Sequence, residues 1–281
     1  MQETEEQKRE RRHREDLERL RGFRPIDDTF MRGLFKDNIP LAELVLRIIM
    51  GKPDLTLVKC ETQADLKRVT GARSICLDAY ATDNTGKKYD IEIQRADNGA
   101  DPHRARYHSS ALDIENLDEK QEYRELPDSY IIFITENDYY KAGEPVYVIQ
   151  NMNLTLGQPF GDGAHILYVN GKYRGNSDIG RLMHDFNCTR AEDMNFELMA
   201  ERTRDLKENP KGASDMCKVM EELRNESYAE GKAEGVTLGK TELAKATALK
   251  LSKKGDSVEE IADLLGYSVE TVTEWLTPKA G

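Results

Sequence analysis

The chain has no apolar run approaching the roughly 20 residues that a membrane-spanning helix requires; its longest strongly apolar stretch is YIIFI at 130–134. Its first residues, MQETEEQKRERRHREDLERL, contain no apolar h-region, so a secretory signal is not expected and the reading is a cytoplasmic protein without a membrane partner. Cysteine is scarce. Cys60, Cys76, Cys188 and Cys217 are scattered with no C-x-x-C pair, which predicts reduced, mostly core thiols and argues against a zinc site. A basic excess is missing too: 41 Lys and Arg face 52 Asp and Glu, a formal net charge of −11. That balance argues against a protein that coats DNA electrostatically, because phosphate contacts supply most non-specific affinity. It does not exclude a local basic patch or binding helped by a cation. What remains is a chain of 281 residues, 38% hydrophobic and 33% charged, long enough for one substantial domain and a smaller module.

The informative stretch is 77–94, LDAYATDNTGKKYDIEIQ. Two alternating runs flank Asn84-Thr85-Gly86, a turn signal in which glycine supplies a positive φ, so a β-hairpin is predicted. Leu77, Ala79 and Ala81, with Tyr89, Ile91 and Ile93, form one face; Asp78, Asp90, Glu92 and Gln94 form the other. A turn centred on Thr85 sets residues whose numbers sum to about 170 across from one another, which brings Asp78 opposite Glu92. Like charges so placed destabilise a sheet, and a hard divalent cation such as Mg²⁺ removes the conflict. The bland alternative is the wet face of an exposed hairpin.

Asp78 followed by Glu92-Ile93-Gln94 resembles the active-site hairpin of the PD-(D/E)XK nuclease superfamily. More narrowly it is similar to the recombination-promoting nuclease (Rpn) branch, described as PD-(D/E)XK nuclease family transposase, in which the final Lys is often Gln. The likeness extends over PIDDTFMRGLFKDN at 25–38, RARY at 104–107 and YIIFITEND at 130–138. The resemblance implies a metal held by Asp78, Glu92 and the Ile93 backbone carbonyl, with Asp28 as an additional metal or water ligand. It implies catalytic roles for Asp78, Glu92 and Gln94, with Mg²⁺ as cofactor and Mn²⁺ as substitute. No Pro precedes Asp78, and Gln94 can orient a water or hold a phosphate oxygen but cannot supply a charge. Asp28 reads equally well as the N-cap of the helix that follows.

Along the chain, 1–22 carries seven acidic and seven basic residues and reads as a charged extension, either a solvated helix or without structure. The nuclease-like domain is expected over 23–205, in the order helix, three strands, helix, strand: an α/β, restriction-endonuclease-like core with a mixed sheet. Helices are predicted with Phe30, Leu34 and Phe35 on one face, then over 40–50, and strands over 55–61 and 130–135. A helix begins at Asp101-Pro102 with Tyr107, Ala111 and Ile114 as its buried stripe. Arg104, Arg106 and His108 fall near its start, where a helix N-terminus and arginine forks suit a phosphate, so Arg104 and Arg106 are the DNA-contact candidates. Strands over 146–150 and 165–169 and a helix bearing Ile179, Leu182, Met183 and Phe186 elaborate the domain. Thr189 to Glu192 has the pattern of a capping box for the next helix.

The segment 206–240 is a helical connector in which Gly231, Gly235 and Gly239 recur every four residues. It reads as flexible, with close-packed self-association into a homo-oligomer as the sharper alternative. Residues 241–281 form a helix-turn-helix-like module: Ser257 and Glu260 make a capping box, Gly266 breaks the helix and Ser268 caps a second one. The second helix exposes Glu270, Thr271, Thr273 and Glu274, none of them a usual base reader, while Lys250, Lys253 and Lys254 suit backbone contact. The expected function is a Mg²⁺-dependent DNA endonuclease that hydrolyses phosphodiester bonds in recombination or transposition. The rivals are a catalytically weak or inactive nuclease-fold binding or assembly protein and a strand-transferring transposase.

Overall fold

The computed structural model describes residues 4–66, 75–95 and 97–277, which form two compact units, Met1–Met220 and Glu221–Gly281. The side chain of Cys76 and residues 67–74, between the first two strands, lie outside the described residues.

In the first unit, helix α1 (Glu5–Gly22) opens with a reciprocal capping box between Thr4 and Gln7 and is held by pairs such as Arg11–Glu15, 2.9 Å apart. The charged extension is therefore a helix, and Leu20 at its end is buried. Helix α2 (Asp28–Phe35) buries Phe30, Met31, Leu34 and Phe35. Its N-cap is Asp27 rather than Asp28, and Asp28 falls in the first turn, 3.7 Å from Arg32. Helix α3 (Ile39–Met50) starts with Asn38 accepting from the Leu41 amide and stops at Gly51, φ +61°, as its apolar periodicity and Pro40 predicted.

Strands β1 (Leu57–Leu66), β2 (Ile75–Asp83) and β3 (Lys88–Gln94) form an antiparallel meander; helix α4 (Pro102–Asn116) then crosses to β4 (Ser129–Thr135), which lies parallel to β3. After β5 (Val146–Gln150) and the small flap β6 (Met152–Asn153) and β7 (Gln158–Pro159), β8 (Ala164–Asn170) joins parallel to β4. The six-stranded sheet has the order β1-β2-β3-β4-β8-β5, the α/β mixed sheet expected from the element pattern. Strand β1 is longer than predicted. Every residue of β4 is buried, as befits a parallel strand covered on both faces. On one face Ala105 and Leu112 of α4 pack on Tyr80, Ile131, Phe133 and Tyr168; α2 packs against β1, β2 and β3.

The stripe of α4 differs from its prediction. Ala105, His108, Ser109 and Leu112 face inward, whereas Tyr107 and Ile114 are exposed. The most apolar face of this helix is not the buried one, because the surface it covers contains the hairpin's carboxylates.

Helix α5 (Asp178–Asp185) buries Ile179, Leu182 and Met183 as predicted. The capping box at Thr189 does not form: 191–193 is a single 3-10 turn and α6 (Glu197–Glu208) begins later. Its start is served instead by Asp185, whose carboxylate accepts from the Asn195 amide at 2.8 and 2.9 Å and the Phe196 amide at 2.9 Å. Lys207 of α6 donates to the carbonyls of Arg21, Phe23 and Thr189. Helix α7 (Pro210–Lys254) begins in this unit with Met216, Val219 and Met220 buried.

In the second unit α7 continues through Gly231, Gly235 and Gly239, where a Cβ would meet nothing within 4 Å. The flexible reading is corrected here: each glycine costs about 0.8–1 kcal/mol relative to Ala, which weakens a helix rich in Ala, Glu, Lys and Leu without stopping it. Ala248 packs with Ile261 and Ala262 of α8 (Val258–Leu265) and Val272 of α9 (Val269–Leu276). Ser257 and Glu260 form their capping box, Gly266 ends α8 at φ +69°, and Ser268 accepts from the Thr271 amide, all as predicted.

The non-local cap separates two substitutions. Asp185→Ala strips three amide contacts from a fully buried carboxylate and should lower the urea unfolding free energy by about 2–3 kcal/mol. Thr189→Ala, at an exposed side chain, should stay within about 0.5 kcal/mol of the parent.

Candidate functional site

The site starts from the hairpin turn. Asp83 Oδ1 accepts from the amides of Thr85 at 2.8 Å and Lys87 at 3.0 Å, its Oδ2 accepts from the Tyr89 hydroxyl at 2.8 Å, and Gly86 takes φ +89°. This fixes the register at Ala79↔Ile91 and Tyr80↔Asp90, pairs that sum to 170. Beyond the last pair side chains take over from the backbone ladder. The Asp78 amide donates to Glu92 Oε1 at 3.1 Å, and the Ile93 amide donates to Asp78 Oδ2 at 3.1 Å. Each acid thus binds an amide of the opposite strand. At Asp78 it is the Ile93 amide, rather than its carbonyl, that meets the carboxylate.

The acidic face is not wet. Asp90 and Glu92 are both 0% exposed beneath α4. Arg104, from the first turns of α4, donates through Nη2 to Glu92 Oε2 at 2.7 Å, through Nη1 to the Gly99 carbonyl at 3.3 Å and through Nε to His108 Nε2 at 3.3 Å. His108 Nδ1 lies 2.9 Å from Asp90 Oδ2. Burial pushes the His108 pKa below its usual value, so the ring is neutral near pH 7; it carries its proton on Nδ1 toward Asp90 and accepts from Arg104 at Nε2. Gln94 Nε2 stands 3.5 Å from Glu92 Oε2. Its carbonyl lies so close to Gly99 that a Cβ there would fall 1.9 Å from Oε1. Gly99 is therefore part of the seat of Gln94.

Electrostatics follow from this crowding. Burial, reinforced by Glu92 and Asp28, holds the Asp78 carboxyl well above the usual range, against the pull of the Ile93 amide and Arg32. Burial and Asp78 do the same to Asp90. Glu92 is pushed up to about 8 by burial and by Asp90, with Arg104 opposing. Asp90 Oδ1 is buried and has no hydrogen-bond donor. The neighbouring group Arg24, Asp27, Arg95 and Glu136 shows the contrast: two arginines and two carboxylates at 2.9–3.2 Å balance one another across the ends of β3 and β4.

These residues fit a divalent cation. Three crowded carboxyls and one acceptor oxygen without a donor are what a cation would satisfy, and ligand atoms of Asp90, Glu92 and His108 lie within 4.8 Å of one another. Of the residues expected from sequence, Asp78, Glu92, Gln94 and Arg104 are brought together, and Asp28 is near enough to act on Asp78. Arg106 is exposed and forms no ion pair with the cluster. The sequence puts Asp90 and His108 on the right elements without giving them a role; the signal for one is the i, i+4 spacing of Arg104 and His108 opposite an i, i+2 pair of acids.

A second group, His184, Asp185 and Cys188, also brings its donor atoms together, one helical turn apart in a place the cysteine spacing had not suggested. Asp185 is saturated by the start of α6, and burial pushes the Cys188 thiol up to about 11. It is structural.

Residues 36–172 match the family model described as PD-(D/E)XK nuclease family transposase, and residues 240–277 match that of the homeodomain-like domain. No curated protein and no solved structure matches the chain. No helix among the described residues is long and apolar enough to cross a membrane.

The raised carboxyls predict the sign of a pH dependence. A carboxyl with a folded pKa above its unfolded value keeps a proton in the folded state after the unfolded chain has lost it. Stability contributed by Glu92 is thus greatest below 4.5 and falls as pH rises toward about 8. The slope is at most about 1.4 kcal/mol per pH unit per group. Without divalent cation the urea midpoint should decline from pH 5 to pH 8, Glu92→Gln should flatten the decline, and Mn²⁺ at pH 8 should reverse it. A midpoint that rises over this range would mean the acids are already compensated.

Proposed function

We propose that the protein is a divalent-metal-dependent DNA endonuclease acting in recombination or transposition, a reading supported by the match of residues 36–172 to the PD-(D/E)XK nuclease family transposase model and of residues 240–277 to the homeodomain-like domain. The observation that carries the reading is the crowding of Asp78 against the fully buried Asp90 and Glu92 around one strand pair, with Asp90 Oδ1 buried and given no donor by Arg104 or His108. Packing gains nothing from that arrangement, since buried like charges cost stability unless a counter-charge joins them.

In this reading Asp78 and Glu92 hold the cation, Mg²⁺ with Mn²⁺ as substitute, and Asp28 adds negative charge from α2. The cation supplies Lewis-acid stabilisation of charge developing on the phosphate and makes water a stronger nucleophile. Gln94, seated on Gly99, offers an amide that orients water, its N–H₂ donating and its carbonyl accepting. Arg104 presents a charged donor to the phosphate. The cover of α4 keeps solvent from Glu92 and so strengthens each of these interactions. Arg106, exposed and outside the cluster, is assigned no role in this reading.

The test is nicking of supercoiled plasmid by the full chain with Mg²⁺, Mn²⁺ or EDTA. Cleavage should require the metal, and Asp78→Ala and Glu92→Ala should each lose about 10²-fold or more, the usual size of removing one electrostatic group from such a site. Arg106→Ala should cleave within about twofold of the parent, as a solvated surface charge. Variants at Asp78 and Glu92 that cleave as well as the parent would refute the site; absence of cleavage by the folded parent would favour a binding or assembly role.

A further inference from the structure

Arg104 stands where a cation is needed. Its guanidinium reaches from a side chain 40% exposed to a carboxylate that is 0% exposed, and closes to 2.7 Å on Glu92 Oε2. One monovalent group cannot serve the whole cluster: it closes on Glu92, while among the described residues the Asp78 carboxylate accepts from the Ile93 amide and Asp90 Oδ1 has no donor from Arg104 or His108. A divalent ion drawn to the same carboxylates meets Arg104 as a rival of like charge at Glu92.

The remaining bonds of Arg104 do not involve the acids of the hairpin directly. Nη1 donates to the Gly99 carbonyl, and Nε donates to His108, whose ring is 4% exposed and locked by Asp90 at 2.9 Å. Release from Glu92 would free the Nη2 corner alone, while Nη1 stays on the Gly99 carbonyl and Nε on His108. Resting on the function proposed above, we propose that Arg104 is a placeholder for the cation that becomes a phosphate ligand on metal binding, with Asp90 and His108 as its pivot. With a cation held by Glu92, Arg104 Nη2 would be released from that carboxylate and would be free to donate to a phosphate oxygen. His108 is then a positioning residue: it acts only through Arg104. Because the two binding events share one guanidinium, each must strengthen the other by the same factor.

The experiment uses the full chain and begins with the metal alone, so that it does not depend on cleavage. Free Mn²⁺ is followed by electron paramagnetic resonance during titration of the parent, Arg104→Gln and Arg104→Met. Both variants remove the rival charge and should bind Mn²⁺ on the order of tenfold more tightly. Affinity for a short DNA duplex is then measured by fluorescence anisotropy with and without Ca²⁺. In the parent Ca²⁺ should raise affinity on the order of tenfold; in both Arg104 variants the share due to the cation's own charge should remain and the share carried by the guanidinium should be lost, so that the rise is clearly smaller. His108→Ala should lose most of the Ca²⁺ effect, and His108→Gln, whose amide oxygen can accept from Nε, should regain part of it. Arg104 variants that bind Mn²⁺ no better than a metal-binding parent, or that keep the full Ca²⁺ effect, overturn the proposal and leave the nuclease reading standing. A folded parent that binds no Mn²⁺ overturns both.

Discussion

Three carboxyl groups share one buried sheet face, and their mutual repulsion in a medium that solvates charge poorly constrains everything around them. Asp90 and Glu92 could point nowhere else, because they lie two residues apart on a strand whose other face is core. The covering helix therefore cannot present an ordinary apolar stripe. It turns Ala105, His108, Ser109 and Leu112 inward and leaves Tyr107 and Ile114 to solvent. Its small residues allow close approach, and His108 and Arg104 supply what the acids lack. Apolar periodicity predicts a buried face only where the surface to be covered is itself apolar.

This explains which parts of the chain were legible beforehand. The hairpin was, because its register is set by interactions spanning a few residues: Gly86 supplies the positive φ, and Asp83 gathers the turn amides. The sum-to-170 rule then follows by geometry, and Asp78 meets Glu92 whatever else the fold does. The helix-turn-helix was legible for the same reason, since both its caps act over three residues and its stop is a left-handed glycine. Asp185 was not. It serves amides ten and eleven residues away, so the local Thr189 pattern looked sufficient although the chain makes a 3-10 turn there. Asp90 was visible as an acid but its partner was not, because the pairing with His108 depends on the rotation of α4 about its axis, which sequence spacing misassigned.

The two arginine groups at the ends of β3 differ in a way that composition cannot show. Arg24 and Arg95 face Asp27 and Glu136, two positive against two negative, with Asp27 buried and Arg95 half-exposed. Such a set has little left to offer a ligand and holds the end of β3 beside β4, where the Glu136 amide donates to the Gln94 carbonyl at 3.0 Å. Arg104 faces an excess of acid. Charge in this second group is unbalanced by construction, and an unbalanced buried group is one whose state depends on what binds.

That imbalance reconciles the net charge of −11 with a nucleic-acid substrate. A protein this acidic gains little from long-range attraction to phosphate, and at physiological salt such attraction is screened beyond about 8 Å in any case. Affinity must then come from contacts made at short range, and the acids of the hairpin would oppose them unless neutralised. A divalent cation held by Asp78 and Glu92 would reverse the local sign where, under the proposed function, the phosphate arrives. Under the proposed function, binding through the acidic hairpin is conditional on metal, and the negative surface elsewhere works against unproductive association in its absence.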